Sequence, residues 1–280
     1  MMRIKAILLY LVITFGIAWV IFGFIALQKQ GVSSLAVTTL TLAFAMFAPA
    51  IAAIIVKRFY LKEGLKDYGF NLKNVPYQLI AWILPVILSL FALFLTLSMG
   101  FGKLDLTMQS FMSMLPKETL TGFRGDTPPF WAIVLMSMFL PVLINCFFTI
   151  GEELGWRGFL QDELKALGQK RSYLLIGLIW GVWHAPIILQ GYNYPTNPYL
   201  GVLWMIIFCV LLSYILCWLK DRSGSVLAPT IAHASLNGPA MTTYIILKDS
   251  NIFLGGMLGV AGFVSMGLFV GYLLLTKQID

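Results

Sequence analysis

The sequence predicts an all-α integral membrane protein, a single bundle of about eight transmembrane helices with a polar cavity open to the cytoplasmic side. Three observations carry this. Of 280 residues, 59% are hydrophobic and only 11% charged, and the mean hydropathy is +0.87; a soluble domain of this length could not hide that much apolar surface. Eight stretches are long and apolar enough to cross a bilayer. Alternating segments of about ten residues, the signature of an outer-membrane barrel, are absent.

Taken in order, the expected spans are 6–27, 35–56, 79–101, 130–150, 173–189, 200–219, 226–247 and 252–275. The first follows Arg3 and Lys5 and begins like a signal sequence, but it is about 22 residues long and no small-residue cleavage site closes it, so it reads as a retained helix. With the N-terminus placed in the cytoplasm, 14 of the 19 basic residues fall on inner segments and five (Lys29, Lys103, Lys117, Arg124, Lys248) on outer ones. The positive-inside rule therefore puts both termini in the cytoplasm. That distribution also accounts for the net charge of +7 as a topology signal, and no nucleic-acid partner is expected.

The inner loop 57–77 is basic and serves as a topology determinant. In the outer loop 102–129, Met108, Phe111, Met112 and Leu115 have helical spacing and are expected along the outer interface. The stretch "QGYNYPTNPY" carries three tyrosines, as an aromatic belt would. Cys146, Cys209 and Cys217 all lie within spans and read as packing residues. Gly255/Gly259 and Gly267/Gly271 make two GxxxG spacings that suggest close helix packing, within the bundle or across a dimer. No linker divides the chain, so residues 1–280 form one membrane domain.

Residues 152–167 are expected to continue the fourth span as an amphipathic helix. Trp156, Phe159, Leu160, Leu164 and Leu167 fall on one side, Gln161, Asp162, Glu163 and Lys165 mostly on the other, and Gly168 supplies the C-cap.

The informative residues are polar ones at membrane depth, where each costs free energy unless it is paired or lines a wet cavity. The fourth span ends in "GEELGWR", with Glu152 and Glu153 side by side and Arg157 four residues after the second. Glu153 and Arg157 have the i,i+4 spacing and order of a helical ion pair, while Glu152 points about 100° away. The only two histidines of the chain are His184, in "WGVWHAPI", and His233, in "HASLN" one turn before Asn237. Trp180, one turn before His184, reads as a wall for that ring. Taken singly, each has a structural explanation: an interfacial ion pair, a hydrogen-bonded histidine, interhelical glue. Together they would cost much and pack little.

A Glu and a His can polarise a water, the Glu acting as general base, while a second His and an Asn can donate to a developing oxyanion. Such a set suits amide hydrolysis by direct water attack. Glu152, His184 and His233 could equally ligate Zn²⁺ or another divalent metal, leaving a position for water; no cofactor is assigned. A proton-coupled transporter is an alternative use of intramembrane Glu and His, and a non-enzymatic immunity or scaffold protein is another.

These residues resemble the CPBP family, the CAAX proteases and bacteriocin-processing (Abi) enzymes. "EELGWR" (Glu152 to Arg157) fits the family's EExxxR motif, "WGVWH" (Trp180 to His184) resembles FxxxH with Trp in place of Phe, and "HASLN" (His233 to Asn237) fits HxxxN. The resemblance covers residues 128–240, the expected catalytic core, and its wording is closest to bacterial members. It implies an intramembrane endopeptidase acting on a membrane-associated peptide or protein. Glu152 and His184 would activate water, His233 and Asn237 would stabilise the oxyanion, and Glu153 and Arg157 would shape the site. The family is often labelled metalloprotease. The resemblance gives neither the oligomeric state nor whether the substrate is prenylated.

Overall fold

The structure, a computed structural model, describes residues 2–28, 41–64, 71, 74–112 and 129–280. Its elements are α1 (Ile4–Gln28), α2 (Ala48–Ile55), α3 (Val75–Ser98), α4 (Phe130–Ser137), α5 (Leu140–Gly155), α6 (Gln169–Trp183), α7 (Ala185–Leu189), α8 (Pro198–Ser223), α9 (Leu227–Asn237) and α10 (Val260–Leu275). A two-residue antiparallel ladder, Lys103↔Lys248 and Leu104↔Leu247, ties the loop after α3 to the segment after α9.

Among the described residues, four helices are long and apolar enough to cross a membrane: Ile4–Leu27, Thr41–Tyr60, Val75–Ser98 and Pro198–Ser223. A fifth is completed if Trp131–Ser137 and Leu140–Leu167, which meet at 44°, count as one bent span. Their outer faces carry exposed side chains such as Leu8, Val12, Val20 and Leu143, as lipid contact requires.

The segments expected as the fifth, seventh and eighth spans are helical but divided. At 173–189 the helix breaks at His184, two residues before Pro186, whose ring removes a donor and crowds the preceding turn. At 226–247 helix α9 stops at Gly238-Pro239, and Pro239–Ile246 continues as a 3₁₀ helix. At 252–275 only Val260–Leu275 is helical, after turns through Gly255, Gly256 and Gly259.

Helix-on-helix contact within the chain is closest at other glycines than those expected. A Cβ on Gly177 would lie 2.5 Å from Val210 Cα, and one on Gly181 2.6 Å from Ile206 Cα. The backbones of α6 and α8 therefore touch along a Gly-x-x-x-Gly stripe. Gly151 and Gly155, which flank the two adjacent glutamates, do the same for α5: a Cβ there would meet Met46 O at 2.7 Å and Pro49 Cβ at 2.3 Å. By contrast, a Cβ on Gly267 or Gly271 would meet nothing within 4 Å, and Gly255 and Gly259 precede α10.

The polar face expected on 152–167 is solvated at Asp162 and Lys165 but not throughout. After α5 the chain makes a π-helical turn, Trp156–Leu160, then Gln161–Leu164 and a 3₁₀ turn that ends at Gly168 with φ of +79°. Trp156, Phe159, Leu160 and Leu164 are buried as expected, but so are Gln161 and Glu163. Gln161 Nε2 donates to Asp221 Oδ1 at 2.8 Å and to Cys217 O at 3.2 Å. Glu163 accepts from Arg3, which also pairs with Glu63. Asp221 further accepts from Gln169 and Tyr173. Arg222 reaches Gln278 O at 3.1 Å, and the Asp280 amide donates to Gln169 Oε1 at 2.9 Å. Both chain ends thus lie at the same end of the bundle.

Of the three tyrosines in "QGYNYPTNPY", Tyr192 and Tyr199 are exposed, but Tyr194 is buried with its hydroxyl donating to Leu258 O at 2.8 Å. Met108 is buried with a positive φ and precedes the short helix Gln109–Met112, so it does not share that helix's face. Leu115 lies outside the described residues. The cysteines are free, Cys209 and Cys217 buried and Cys146 half-buried.

Candidate active site

Three elements bring the polar residues together. α5 carries Glu152 and Glu153, with Arg157 in the π turn that follows; α6 carries Trp180 and leads into His184; α9 carries His233 and Asn237. The glycine contacts above seat α5 on α2 and α6 on α8. The register of α5 against α9 is pinned by Thr149, whose hydroxyl lies 3.0 Å from Asn145 O and 3.1 Å from Thr230 O. Glu153 and His233 each lie within about one turn of this bond on their own helix, and their side chains meet beside it.

Glu153 is fully buried, and its Oε1 accepts from Arg157 Nη1 at 3.0 Å and from His233 Nδ1 at 2.9 Å. The expected pair is present, and His233 joins it. Arg157 is also fully buried. Its Nη2 donates to Ser213 Oγ at 3.3 Å, and its Cζ sits 4.6 Å from the centre of the Trp180 ring. A charge so enclosed persists only with a partner.

Glu152 is buried too but is engaged differently: its Oε2 accepts from Trp180 Nε1 at 2.7 Å. Trp180 is therefore more than a wall. It packs against both histidine rings, with centroids 5.8 Å from His184 and 5.3 Å from His233. Its backbone carbonyl lies 2.9 Å from His184 Nδ1. A carbonyl can only accept, so the proton sits on Nδ1 and the lone pair of His184 on Nε2. The same logic at Glu153 puts a proton on His233 Nδ1 when that carboxylate is ionised. Asn237, the last residue of α9, is exposed one turn beyond His233.

Sequence reading missed the contribution of α8. Met205, Cys209, Ser213 and Cys217 follow one another at i,i+4 and line the face turned to the motifs. Cys209 Sγ is 3.8 Å from His184 Nδ1, and Ser213 holds Arg157. The four-residue spacing of small or soft side chains in 200–219 was the available signal.

The donor set does not form a ready metal centre. Among the described residues no group of three or more His, Cys, Asp or Glu could hold a metal ion. Each histidine Nδ1 and one oxygen of each glutamate is already hydrogen-bonded within the protein.

A family model for Type II CAAX prenyl endopeptidases, Rce1-like, matches residues 127–238, the segment that holds all three motifs. A curated CAAX prenyl protease 2 from Methanococcus maripaludis is 26% identical over 203 residues, which cover 69% of this chain and 68% of that protein. With several helices able to cross a bilayer, the chain is a multi-pass integral membrane protein, and over residues 127–238 it is similar to the Type II CAAX prenyl endopeptidases.

Proposed function

We propose that the protein hydrolyses a peptide bond in a membrane-associated peptide, with a prenylated CAAX peptide as the substrate class, by direct attack of water activated by Glu152 and His184. Glu152 Oε1 and His184 Nε2 are both acceptors. A water donating one proton to each would turn a lone pair toward the scissile carbonyl. Attack forms the C–O bond as the proton passes to Glu152, and the charge collects on the carbonyl oxygen. His233 Nε2 and Asn237 Nδ2 donate to that oxygen. His233 can do so only with both nitrogens protonated, Nδ1 toward Glu153 and Nε2 toward the oxyanion. Collapse breaks the C–N bond, Glu152 returns its proton to the leaving amine, and a carboxylate remains. Arg157 neutralises Glu153 and keeps it from competing as a base.

The observation that carries this is the separate engagement of the two adjacent carboxylates. Glu153 shares one oxygen between Arg157 and His233, whereas Glu152 is held, among the described residues, by one neutral N–H, which would leave its other oxygen for water.

We further propose that the divided segments complete eight crossings as broken spans. Both termini and a polar cavity would then face the cytoplasm, where the basic residues gather. Residues 128–240 would form the catalytic core.

The test is cleavage of a prenylated CAAX peptide by the protein in liposomes, with products identified by mass spectrometry. Release of the C-terminal fragment, abolished in Glu152→Gln, His184→Ala and His233→Ala proteins that still insert, is expected. An unsubstituted protein that leaves the peptide intact would contradict the assignment.

A further inference from the structure

Trp180 stands where the motif it resembles carries Phe, a residue with no donor. Its indole N–H is buried and lies 2.7 Å from Glu152 Oε2. The direction of that N–H is held from three sides: the ring lies under the Arg157 guanidinium, packs edge-on to His233, and continues a backbone whose carbonyl holds His184. The Glu152 carboxylate has competing partners, since the Arg157 guanidinium and the His233 ring both pack against the same indole that donates to it. A carboxylate free to turn would settle against one of those donors and lose its free oxygen.

We infer that Trp180 is a positioning residue for the hydrolysis. Its indole N–H occupies Glu152 Oε2, keeps the carboxylate from turning to His233 or Arg157, and so reserves Oε1 for the attacking water. This rests on Glu152 being the base, as proposed above. The role belongs to the N–H and not to the bulk of the ring, so a chain with Phe at this position would have to hold its glutamate by other means.

The experiment replaces Trp180 with 3-benzothienylalanine, the isostere with sulfur in place of N–H, beside Trp180→Phe and Glu152→Gln. Each is assayed in liposomes on a prenylated CAAX peptide. The isostere keeps the ring's packing, so its melting temperature should match that of the unsubstituted protein. Its kcat should fall about tenfold or more while KM stays within about twofold, because the lost hydrogen bond orients the base and touches no substrate. Trp180→Phe should show the same kcat loss. An isostere with unchanged kcat, or with an altered KM and unchanged kcat, overturns the inference, provided that Glu152→Gln is inactive. Cleavage by Glu152→Gln overturns the assignment of the base, and the inference with it.

Discussion

His233 Nδ1 lies 2.9 Å from Glu153 Oε1, so the second of two adjacent glutamates, on one helix, holds the histidine of another. The first glutamate makes no such bond and is held by Trp180 from a third helix. Two neighbouring carboxylates in the chain thereby acquire different chemical environments.

This relationship predicts an asymmetric response to substitution. Glu153→Leu leaves the Arg157 guanidinium buried without its counterion and should cost about 3–5 kcal/mol of stability. Pairing it with Arg157→Leu should restore most of the melting temperature, since no buried charge is then stranded, while activity stays lost because His233 is unsupported. Melting curves in detergent, read beside cleavage rates, check both halves.

Thr149→Val removes one hydroxyl that bonds across to Thr230 O, at a cost of about 1 kcal/mol. The expected loss of cleavage is larger than that of stability, because the bond sets the register that brings Glu153 to His233. Equal small losses in both would show that the register is held elsewhere.

The glycine contacts predict a contrast between two pairs of similar spacing. Gly177→Ala and Gly181→Ala each drive a methyl into the backbone of α8 and should destabilise by about 1–3 kcal/mol. Gly267→Ala and Gly271→Ala point into open space and should leave the monomer's melting temperature unchanged or slightly raised, since Ala favours the helix over Gly.

The donor arrangement predicts that a chelator leaves cleavage unchanged. The comparison is the rate on a prenylated peptide with and without EDTA, with Zn²⁺ added back. Loss on chelation and recovery on re-addition would mean that the histidines and Glu152 rearrange around a metal.

Much of the candidate site was legible in the sequence because its residues are costly in their setting. Glu152, Glu153, His184 and His233 stand out in an apolar chain, and the i,i+4 pairing of Glu153 with Arg157 follows from helix geometry alone. Contacts between helices were not legible. That His233 bonds Glu153, that Trp180 bonds Glu152, and that Ser213 holds Arg157 depend on how α5, α6, α8 and α9 face one another. Pro186 signals a loosened backbone just after His184, but hydropathy does not show the other breaks, since Gly238-Pro239 and the turns around Gly255 and Gly259 scarcely lower a window average. The same limit hid the burial of Gln161 and Glu163. Their partners, Asp221 and Arg3, are 60 and 160 residues away.

The most direct test of the account is the cleavage rate of Glu152→Gln against the unsubstituted protein, both in liposomes with a prenylated CAAX peptide. The amide keeps an oxygen for the Trp180 N–H and the shape of the side chain, so insertion and melting should be preserved. The account predicts a fall of about 10²-fold or more, the contribution of a general base. A Glu152→Gln protein cleaving within tenfold of the unsubstituted rate would contradict it.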